Sequence, residues 1–289
     1  DAIGRYANPL EARATYTRGN NPNGYHGTSW MLHILPMIDQ APLYNFWYFG
    51  DNVRGNGDFG VQTPPPDLSL VFPARTDVKV FYCPSRRQNM ESNGRYQPCD
   101  RIDTAAPGNI LWTQGGNDYA ACTGSGITFH DNVNDYTDRQ TYSLLPAQLT
   151  ATVFVVTGLN GQQFSTSYYT QYPTNIGMFG MNSSTNLRDV SDGTSNVIMI
   201  SERRLSTMIT PVIQRSSDGW AWGGAATLFS CRNAPHSNLH YDEADSPHEQ
   251  IVQIGLADGS VRNVSLNIDL RTWQNLGNMA QGSPISLPQ

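Results

Sequence analysis

Hydrophobic positions near the start of the chain have the spacing of short helices. Residues 29–48 carry apolar side chains at helical intervals, and Ser29 can cap the first helix by accepting a backbone hydrogen bond. Pro36 and Pro42 stand where proline is tolerated, in the first turn of a new helix. The pattern therefore predicts a stepped series of short helices that present these side chains to a core: Trp30, Leu32, Leu35, Ile38, Leu43 and Trp47.

Hydrophobic positions later in the chain favour strands. Segments with strand-like alternation or rich in valine and isoleucine predict strands over residues 79–83, 151–157, 196–201, 250–256 and 261–268. The last two flank Asp258-Gly259, which is the pattern of a β-hairpin. A short helix over residues 269–276 should follow, with Asp269 as its N-cap.

The register of this hairpin depends on its turn. If Asp258-Gly259 forms a two-residue turn, the apolar residues of the two strands fall on opposite faces. A one-residue bulge near Arg262 would bring them together, and we expect such a bulge. In either register His248 should lie within a residue or two of Asp269, which would give the histidine a carboxylate neighbour.

Irregular chain surrounds these elements. Residues 1–28 carry clusters of glycine, asparagine and proline, and residues 50–77, 85–106 and 160–175 have the composition of surface loops. We find no internal repeat. The sequence therefore predicts one α+β domain over residues 29–289, with an antiparallel sheet, short helices and long loops.

Composition narrows the class of protein. Apolar residues make up 38% of the chain and charged residues 15%, which fits a folded, loop-rich domain. The net charge is -6 and the 18 basic residues form no run, so the chain lacks the charge pattern of a nucleic-acid-binding protein. No segment reaches the ~18 apolar residues that span a bilayer. Because the chain starts with Asp1, we expect that an N-terminal segment once preceded it.

Cysteine usage suggests export. The surface residues are rich in asparagine, serine, threonine and tyrosine, which favours disulfides over the buried thiols of a cytosolic protein. The absence of a Cys-x-x-Cys pair excludes a zinc ribbon or a thioredoxin-type motif. We predict a bridge from Cys83 to Cys99, which a short loop joins, and one from Cys122 to Cys231 by elimination.

One segment has the side chains of a metal site. Six zinc or calcium ligand types lie within thirteen residues: His236, His240, Asp242, Glu243, Asp245 and His248. Prolines bracket the segment, and neither a zinc-protease nor an EF-hand spacing is present. We therefore interpret it as a solvated acidic loop and predict no bound metal or cofactor.

The remaining candidates for chemistry have simpler interpretations. His248 and Asp258 are separated by a strand of roughly 30 Å at ~3.3 Å per residue, too far for a catalytic dyad. The carboxylates of Asp189, Asp192 and Glu202 resemble ordinary surface acids, although a glycosidase pair would use the same side chains. Trp220 and Trp222 can stack on sugars, but a buried apolar face is their commoner use.

Four motifs in order resemble a known family. They are SWMLHILP at residues 29–36, FYCPS at 81–85, DVSDGTSN at 189–196, and His248 followed after nine residues by Asp258-Gly259. Their order and spacing are similar to those of the planctomycete-type prepilin-like proteins, which end in a His-x9-Asp-Gly signature. The same domain also carries a solute-binding-like label. The resemblance runs from Ser29 to the C-terminal helix.

The resemblance implies a structural role. Such proteins carry an apolar N-terminal helix, absent from this chain, that anchors them in the membrane and later packs into a pilus or pseudopilus. The signature residues would then be structural: Trp30, Pro36, Asp192, Gly193, His248, Asp258 and Gly259. We expect a non-enzymatic, exported subunit at the cell surface, of the type IV pilus or type II secretion kind, whose partners are copies of itself or related subunits. The alternative is a carbohydrate-binding or solute-binding surface module.

Overall fold

The computed structural model describes the chain apart from certain residues. Those outside the described part are 1–27, 51–52, 54, 60, 64–66, 91–111, 127–128, 132–140, 144–154, 158–162, 166–175, 181–182, 204, 206–217, 224–225, 238–241 and 283–289. The predicted irregular segment 1–28 therefore lies outside it except for Thr28, which forms a β-bridge with Trp222.

Short helices open the described part, as the pattern predicted. α1 (Trp30–Ile34) begins at Ser29, whose hydroxyl accepts a hydrogen bond from the backbone of Met31. A 3₁₀ helix over Leu35–Ile38 carries Pro36 in its first turn, and α2 (Ala41–Phe46) follows. The stepped series of helices is confirmed, because each proline starts a new turn without breaking an existing one.

The strands are short, and five of them form the main sheet. In chain order they are β1 (Val61–Gln62), β2 (Leu70–Val71), β3 (Tyr119–Cys122), β4 (Phe129–Asp131), β5 (Thr141–Ser143), β6 (Val155–Thr157), β7 (Gln163–Ser165), β8 (Ile198–Glu202), β9 (Leu228–Phe229), β10 (Ile251–Leu256) and β11 (Val261–Ser265). The main sheet has the order β11-β10-β8-β3-β9, and three separate hairpins pair β1-β2, β4-β5 and β6-β7. Together with the helices this confirms the α+β class.

The main sheet is not wholly antiparallel. β3 pairs with β8 in the antiparallel sense but with β9 in the parallel sense. The predicted antiparallel sheet is therefore corrected to a mixed one. β8 leaves the sheet at the end where β3 begins, and β9 enters at that same end, so β9 runs parallel to β3.

The C-terminal hairpin forms, with a different turn from the one predicted. Gly255 pairs with Val261, and the Leu256 amide donates to the Ser260 carbonyl at 2.8 Å. The loop therefore consists of Ala257, Asp258 and Gly259, and Gly259 takes a positive φ of 85°. The extra residue therefore lies in the loop, a common three-residue hairpin connection. The expected bulge near Arg262 is wrong, because the ladder runs regularly past it.

The register nonetheless brings the apolar residues together. Val252 faces Val264 across the hairpin, and both side chains are buried. α3 (Leu270–Gly277) then packs on this face through Trp273 and Leu276. Its N-cap is Asp269, as predicted: the carboxylate accepts a hydrogen bond from the Thr272 backbone at 2.9 Å.

One predicted strand is a helical turn. Residues 79–83 contain a 3₁₀ helix at Lys79–Phe81, closed by hydrogen bonds such as that from the Tyr82 amide to the Lys79 carbonyl. Phe81, Tyr82 and Cys83 are buried in succession. A half-buried strand cannot bury three consecutive side chains on one face, because its side chains alternate.

Two apolar clusters make up most of the core. The first joins the N-terminal helices to the tryptophans at 47, 112, 220 and 222. The second lies between the main sheet and α3 and includes Phe229 and Trp273. Within the described residues, no helix combines the length and apolar character needed to cross a membrane.

Candidate functional site

Three residues that lie far apart in the sequence meet at one point. Cys83 follows the turn at Lys79–Phe81, Glu202 ends β8, and His248 precedes β10. One ligand atom from each side chain lies within 4.8 Å of the other two. In the part of the chain that the structure describes, these are the residues that could hold a metal ion.

The imidazole of His248 is the centre of this group. Its Nε2 atom lies 4.0 Å from the Cys83 Sγ atom and 3.4 Å from the Glu202 Oε1 atom. The Glu202 side chain is 1% exposed, whereas that of His248 is 29% exposed. The group is therefore a buried carboxylate and a buried thiol beneath a histidine that reaches solvent.

Neighbouring groups fix the orientation of Glu202. Its Oε2 atom accepts hydrogen bonds from the Ser246 hydroxyl at 2.6 Å and from the Gln253 amide at 3.0 Å. Ser246 in turn accepts a hydrogen bond from the His248 backbone amide. The Oε1 atom is buried and has no hydrogen-bond partner. One carboxylate oxygen is thus satisfied, and the other is left facing the thiol and the imidazole.

A buried charge network holds the Cys83 segment in place. Asp118 accepts a hydrogen bond from the Cys83 amide at 2.8 Å and binds the Arg87 Nε atom at 2.9 Å. Arg87 also contacts both oxygens of Asp218, at 2.6 and 3.1 Å. Arg203, one residue after Glu202, contacts Asp218 as well, at 3.2 Å. The loop after Cys83 is therefore tied to the end of β8.

Burial and partner charges oppose one another in this network. Burial disfavours the charged form of Arg87, but Asp218 and Asp118 outweigh it and raise the pKa of the guanidinium. Arg203 is more deeply buried, and desolvation lowers its pKa to about 10 despite the attraction of Asp218. Burial would raise the pKa of Asp218, but Arg87 lowers it. The network is one unit of interdependent charges.

The site lacks the arrangement of a cysteine hydrolase. Burial raises the pKa of the Cys83 thiol, and the negative charge of Glu202 adds to the rise. A nucleophilic cysteine needs the opposite, a pKa lowered by its surroundings. A catalytic triad also uses one ring nitrogen for the nucleophile and the other for the carboxylate, whereas here the same Nε2 atom faces both. The geometry suits ligation of a cation better than attack on a carbonyl.

The carboxylate beside His248 is not the one predicted. His248 lies against Glu202 of β8, whereas the Asp269 carboxylate caps α3. The prediction was wrong because it considered only the hairpin partner of the β10 segment. β8 pairs along the other edge of the same strand.

The other signature residues hold elements together. Asp192 is buried, and its two carboxylate oxygens accept hydrogen bonds from the Gln281 and Gly282 amides, each at 2.9 Å. Gly193 has a φ of 94°, which favours glycine at this turn. The Asp258 carboxylate accepts hydrogen bonds from the backbone and hydroxyl of Ser260 and so stabilises the hairpin loop.

Trp30 and Pro36 have comparable roles at the other end of the chain. Trp30 donates a hydrogen bond from its Nε1 atom to the Thr227 carbonyl at 2.9 Å and packs against the Phe179 ring. Pro36 starts the 3₁₀ helix that follows α1. Trp30 thus joins the first helix to the segment before β9.

We predict a clear loss of stability when Asp192 is replaced by alanine. The variant leaves the amides of half-buried Gln281 and exposed Gly282 without their charged acceptor, so the free energy of unfolding should fall by about 1 to 2 kcal/mol. Urea denaturation of the purified protein measures the change. Asp192→Asn retains one acceptor oxygen and should lose roughly half as much. Equal stability of all three proteins would contradict the proposed role of Asp192.

The acidic segment does not converge on a single centre. His236 pairs with Asp245 at 2.5 Å, and Glu243 accepts hydrogen bonds from Asn233 and Ser237. His240 lies outside the described residues. Asp242 and Glu243 are buried, so the segment is not the fully solvated loop that was expected.

The three cysteines among the described residues are free thiols. Cys122 and Cys231 are neighbours, as expected, but their Sγ atoms are 3.6 Å apart, far longer than the ~2.05 Å of a disulfide. The bond between them is therefore corrected to a contact between two thiols. Cys83 is also a free, buried thiol, and Cys99 lies outside the described residues.

Burial of Cys231 predicts a specific pH dependence. Desolvation, followed by the contact with Cys122, raises the pKa of Cys231 well above its usual value. Above pH of about 8.5 the unfolded chain loses this proton and the folded chain keeps it, so stability should fall by about 1.4 kcal/mol per pH unit. Below that pH the term is constant.

Removing the thiol should flatten the profile. Under reducing conditions, the free energy of unfolding of Cys231→Ala should fall less steeply above pH of about 8.5 than that of the wild type, by about 1.4 kcal/mol per pH unit. Urea denaturation between pH 7 and 10 measures both slopes. The two slopes should coincide below pH of about 8. Identical slopes above that pH would show that Cys231 titrates normally.

Trp220 and Trp222 are not placed to stack on sugars. Trp220 and Trp222 are buried, at 0% and 5% exposure, so the burial predicted for them is confirmed. A surface depression does lie beside α3, with an accessible volume of about 510 Å³. Its lining is mostly polar, includes Arg271 and Gln274, and contains no aromatic ring.

Sequence patterns missed most of the charged residues of the site. Glu202 was one of several scattered carboxylates, and nothing singled out Arg87, Asp118 or Asp218. A usable signal was the position of Glu202 and Arg203 at the end of an apolar strand, where charges need buried partners. His248 and Cys83 were found through their motifs, but not as neighbours.

Comparison with known proteins places the chain in a family whose function is unknown. A family model described as "Protein of unknown function (DUF1559)", with the short label SBP_bac_10, matches residues 7–271. No curated protein and no solved structure matches the chain. The matched range includes Cys83, Glu202 and His248.

Proposed function

The chain belongs to this family of unknown function, and we propose that it is the folded surface domain of an exported, pilin-like structural subunit without enzymatic activity. Its partners would be further copies of the chain or related subunits. The assembly would stand at the cell surface, as a pilus-like or pseudopilus-like filament.

The observation that carries the proposal is the use made of the motif residues. The polar side-chain atoms of Trp30, Asp192 and Asp258 form hydrogen bonds within the same domain, mainly to backbone groups. Gly193 and Gly259 supply turns with positive φ. A structural subunit needs residues that stabilise its fold. In an enzyme of this size, some of the motif residues would line a substrate cleft.

The surface leaves apolar side chains available for contacts with other subunits. Several large ones are exposed on separate elements: Met37, Leu70, Val80, Leu187 and Val261. Burial of such side chains against a neighbouring subunit is favourable by roughly 25 cal/mol per Å² of apolar surface. β11 is also an edge strand of the main sheet, and no strand of the described residues pairs with its outer side.

A solute-binding module is the alternative, and the family's short label is its main support. The tryptophans that might stack on a sugar are buried, and the depression beside α3 is mostly polar and open. Binding of sugars usually relies on exposed aromatic faces. Titration calorimetry with a panel of neutral and acidic oligosaccharides separates the two functions, since a saturable signal would favour the module.

Surface labelling of intact producing cells tests the proposal. A membrane-impermeant biotin reagent should label this protein before the cells are broken, and immunogold particles should follow extended structures outside the cell. A cytoplasmic protein serves as the control and should stay unlabelled. Labelling of the chain only after lysis would contradict export and therefore the structural role.

A further inference from the structure

We infer that Cys83, Glu202 and His248 bind a zinc ion, held by the Sγ, Oε1 and Nε2 atoms with a fourth position open to solvent. The inference does not depend on the proposed function, because it rests on the geometry of these side chains. It replaces the sequence-based expectation of no bound metal, which considered the acidic segment and did not place Cys83 and Glu202 beside His248. The ion would join three segments of the chain, since Cys83 lies 119 positions before Glu202 and His248 lies 46 positions after it.

One carboxylate oxygen of Glu202 is left unsatisfied in the protein. Glu202 Oε1 is buried without a hydrogen-bond partner, while Oε2 has two. A buried polar atom without a partner is costly, and a buried charge more so. The nearby arginines are engaged elsewhere: Arg86 donates to the Arg203 and Asp245 carbonyls, and Arg87 binds Asp118 and Asp218. A cation between the three ligand atoms would satisfy Oε1.

The distances between the donor atoms of Cys83, Glu202 and His248 are close to those of a zinc site. In a tetrahedral zinc site, bond lengths of about 2.0 to 2.3 Å place neighbouring ligand atoms about 3.3 to 3.6 Å apart. The nitrogen and oxygen donors are 3.4 Å apart, and the nitrogen and sulfur donors are 4.0 Å apart. All three donor atoms lie within 4.8 Å of one another, so Cys83 must move inward by roughly half an ångström or more for the protein to close around the ion.

Hydrogen bonds from neighbouring residues hold the three ligand residues in position. Ser246 and the Gln253 amide orient Glu202, and Asp118 holds the Cys83 amide. The Ser246 hydroxyl also accepts a hydrogen bond from the His248 backbone amide at 3.1 Å, so this one hydroxyl links two of the ligand residues. Outer partners of this kind fix ligand geometry and raise metal affinity.

The donor set selects the metal. A thiolate with an imidazole favours zinc over magnesium or calcium, which prefer oxygen ligands. Three protein ligands and an open position form the usual incomplete zinc sphere. The exposure of His248, 29% of its side chain, gives the ion a path from solvent and leaves room for a water ligand.

Zinc titration of the full chain, freed of metal by a chelator, tests the inference. Calorimetry with zinc sulfate alone should give one site per chain, and zinc should raise the melting temperature of the wild type. Cys83→Ser, Glu202→Gln and His248→Asn should each weaken binding at least about tenfold. His236→Asn is the matched control, because His236 is exposed and pairs with Asp245; it should bind zinc as the wild type does.

Cobalt gives a reading that needs no variant. Co²⁺ bound to the wild-type protein should show a thiolate-to-metal charge-transfer band and the visible spectrum of a tetrahedral ion. Absence of both features, or of stoichiometric zinc binding, would overturn the inference and leave the group as a His248–Glu202 ion pair beside a thiol. Loss of binding in His236→Asn with binding retained in His248→Asn would overturn it too, by moving the site to the acidic segment.

Discussion

Replacing Asp218 by asparagine should lower the free energy of unfolding by about 3 to 5 kcal/mol. The Asp218 side chain is 1% exposed and faces two buried arginines, Arg87 and Arg203. It also accepts hydrogen bonds from the Asn117 and Gly219 amides. Asparagine keeps the shape but removes the charge, so two guanidinium groups remain buried with only Asp118 to balance them.

A control variant and a pH series make this prediction specific. Asp39→Asn changes the same functional group at an exposed position whose positive φ suits asparagine, and it should stay within about 0.5 kcal/mol of the wild type. Because Arg87 lowers the pKa of Asp218 against the effect of burial, the contribution of Asp218 is present above pH of about 4. It should be lost as the pH falls further, through the folded-state pKa. Equal urea midpoints for both variants would contradict the role of the network.

Replacing Trp220 by alanine should cost about 3 to 5 kcal/mol for a different reason. The ring is fully buried and packs between Trp47, at 6.1 Å between ring centres, and Phe81, at 5.9 Å. Its Nε1 atom donates to the Thr76 carbonyl at 2.8 Å. Alanine leaves a cavity in the first apolar cluster and an unpaired carbonyl beside it.

Two further variants separate these effects. Trp220→Phe keeps much of the ring but removes the donor to Thr76. Its free energy of unfolding should fall by about 1 to 3 kcal/mol, less than that of Trp220→Ala. Tyr48→Ala removes an aromatic ring that is 50% exposed and should change stability far less. If Trp220→Ala unfolds at the same urea concentration as Tyr48→Ala, the first cluster does not stabilise the domain as described.

Local patterns were sufficient for elements with local causes. The helices around Pro36 follow from proline in a first turn and from the Ser29 cap, both of which can be read from adjacent residues. The C-terminal hairpin and the Asp269 cap follow in the same way. Each depends on hydrogen bonds between residues only a few positions apart.

Features with distant causes were not predictable in this way. Residues 79–83 alternate like a strand, but Phe81 must enter the core beside Trp220, which is far away in sequence. The register of the hairpin was set by a loop one residue longer than the Asp-Gly pair suggests. The site itself requires Arg87 to meet Asp218, and His248 to meet Glu202, contacts that no local pattern encodes.

Image reconstruction of filaments sheared from producing cells tests the central claim most directly. If the chain is a pilin-like subunit, the reconstruction should show one domain per repeat along the helical axis. The density of each repeat should accommodate the sheet order β11-β10-β8-β3-β9 with α3 on one face. Filaments built without this chain, with the chain recovered only as free monomers, would contradict the account.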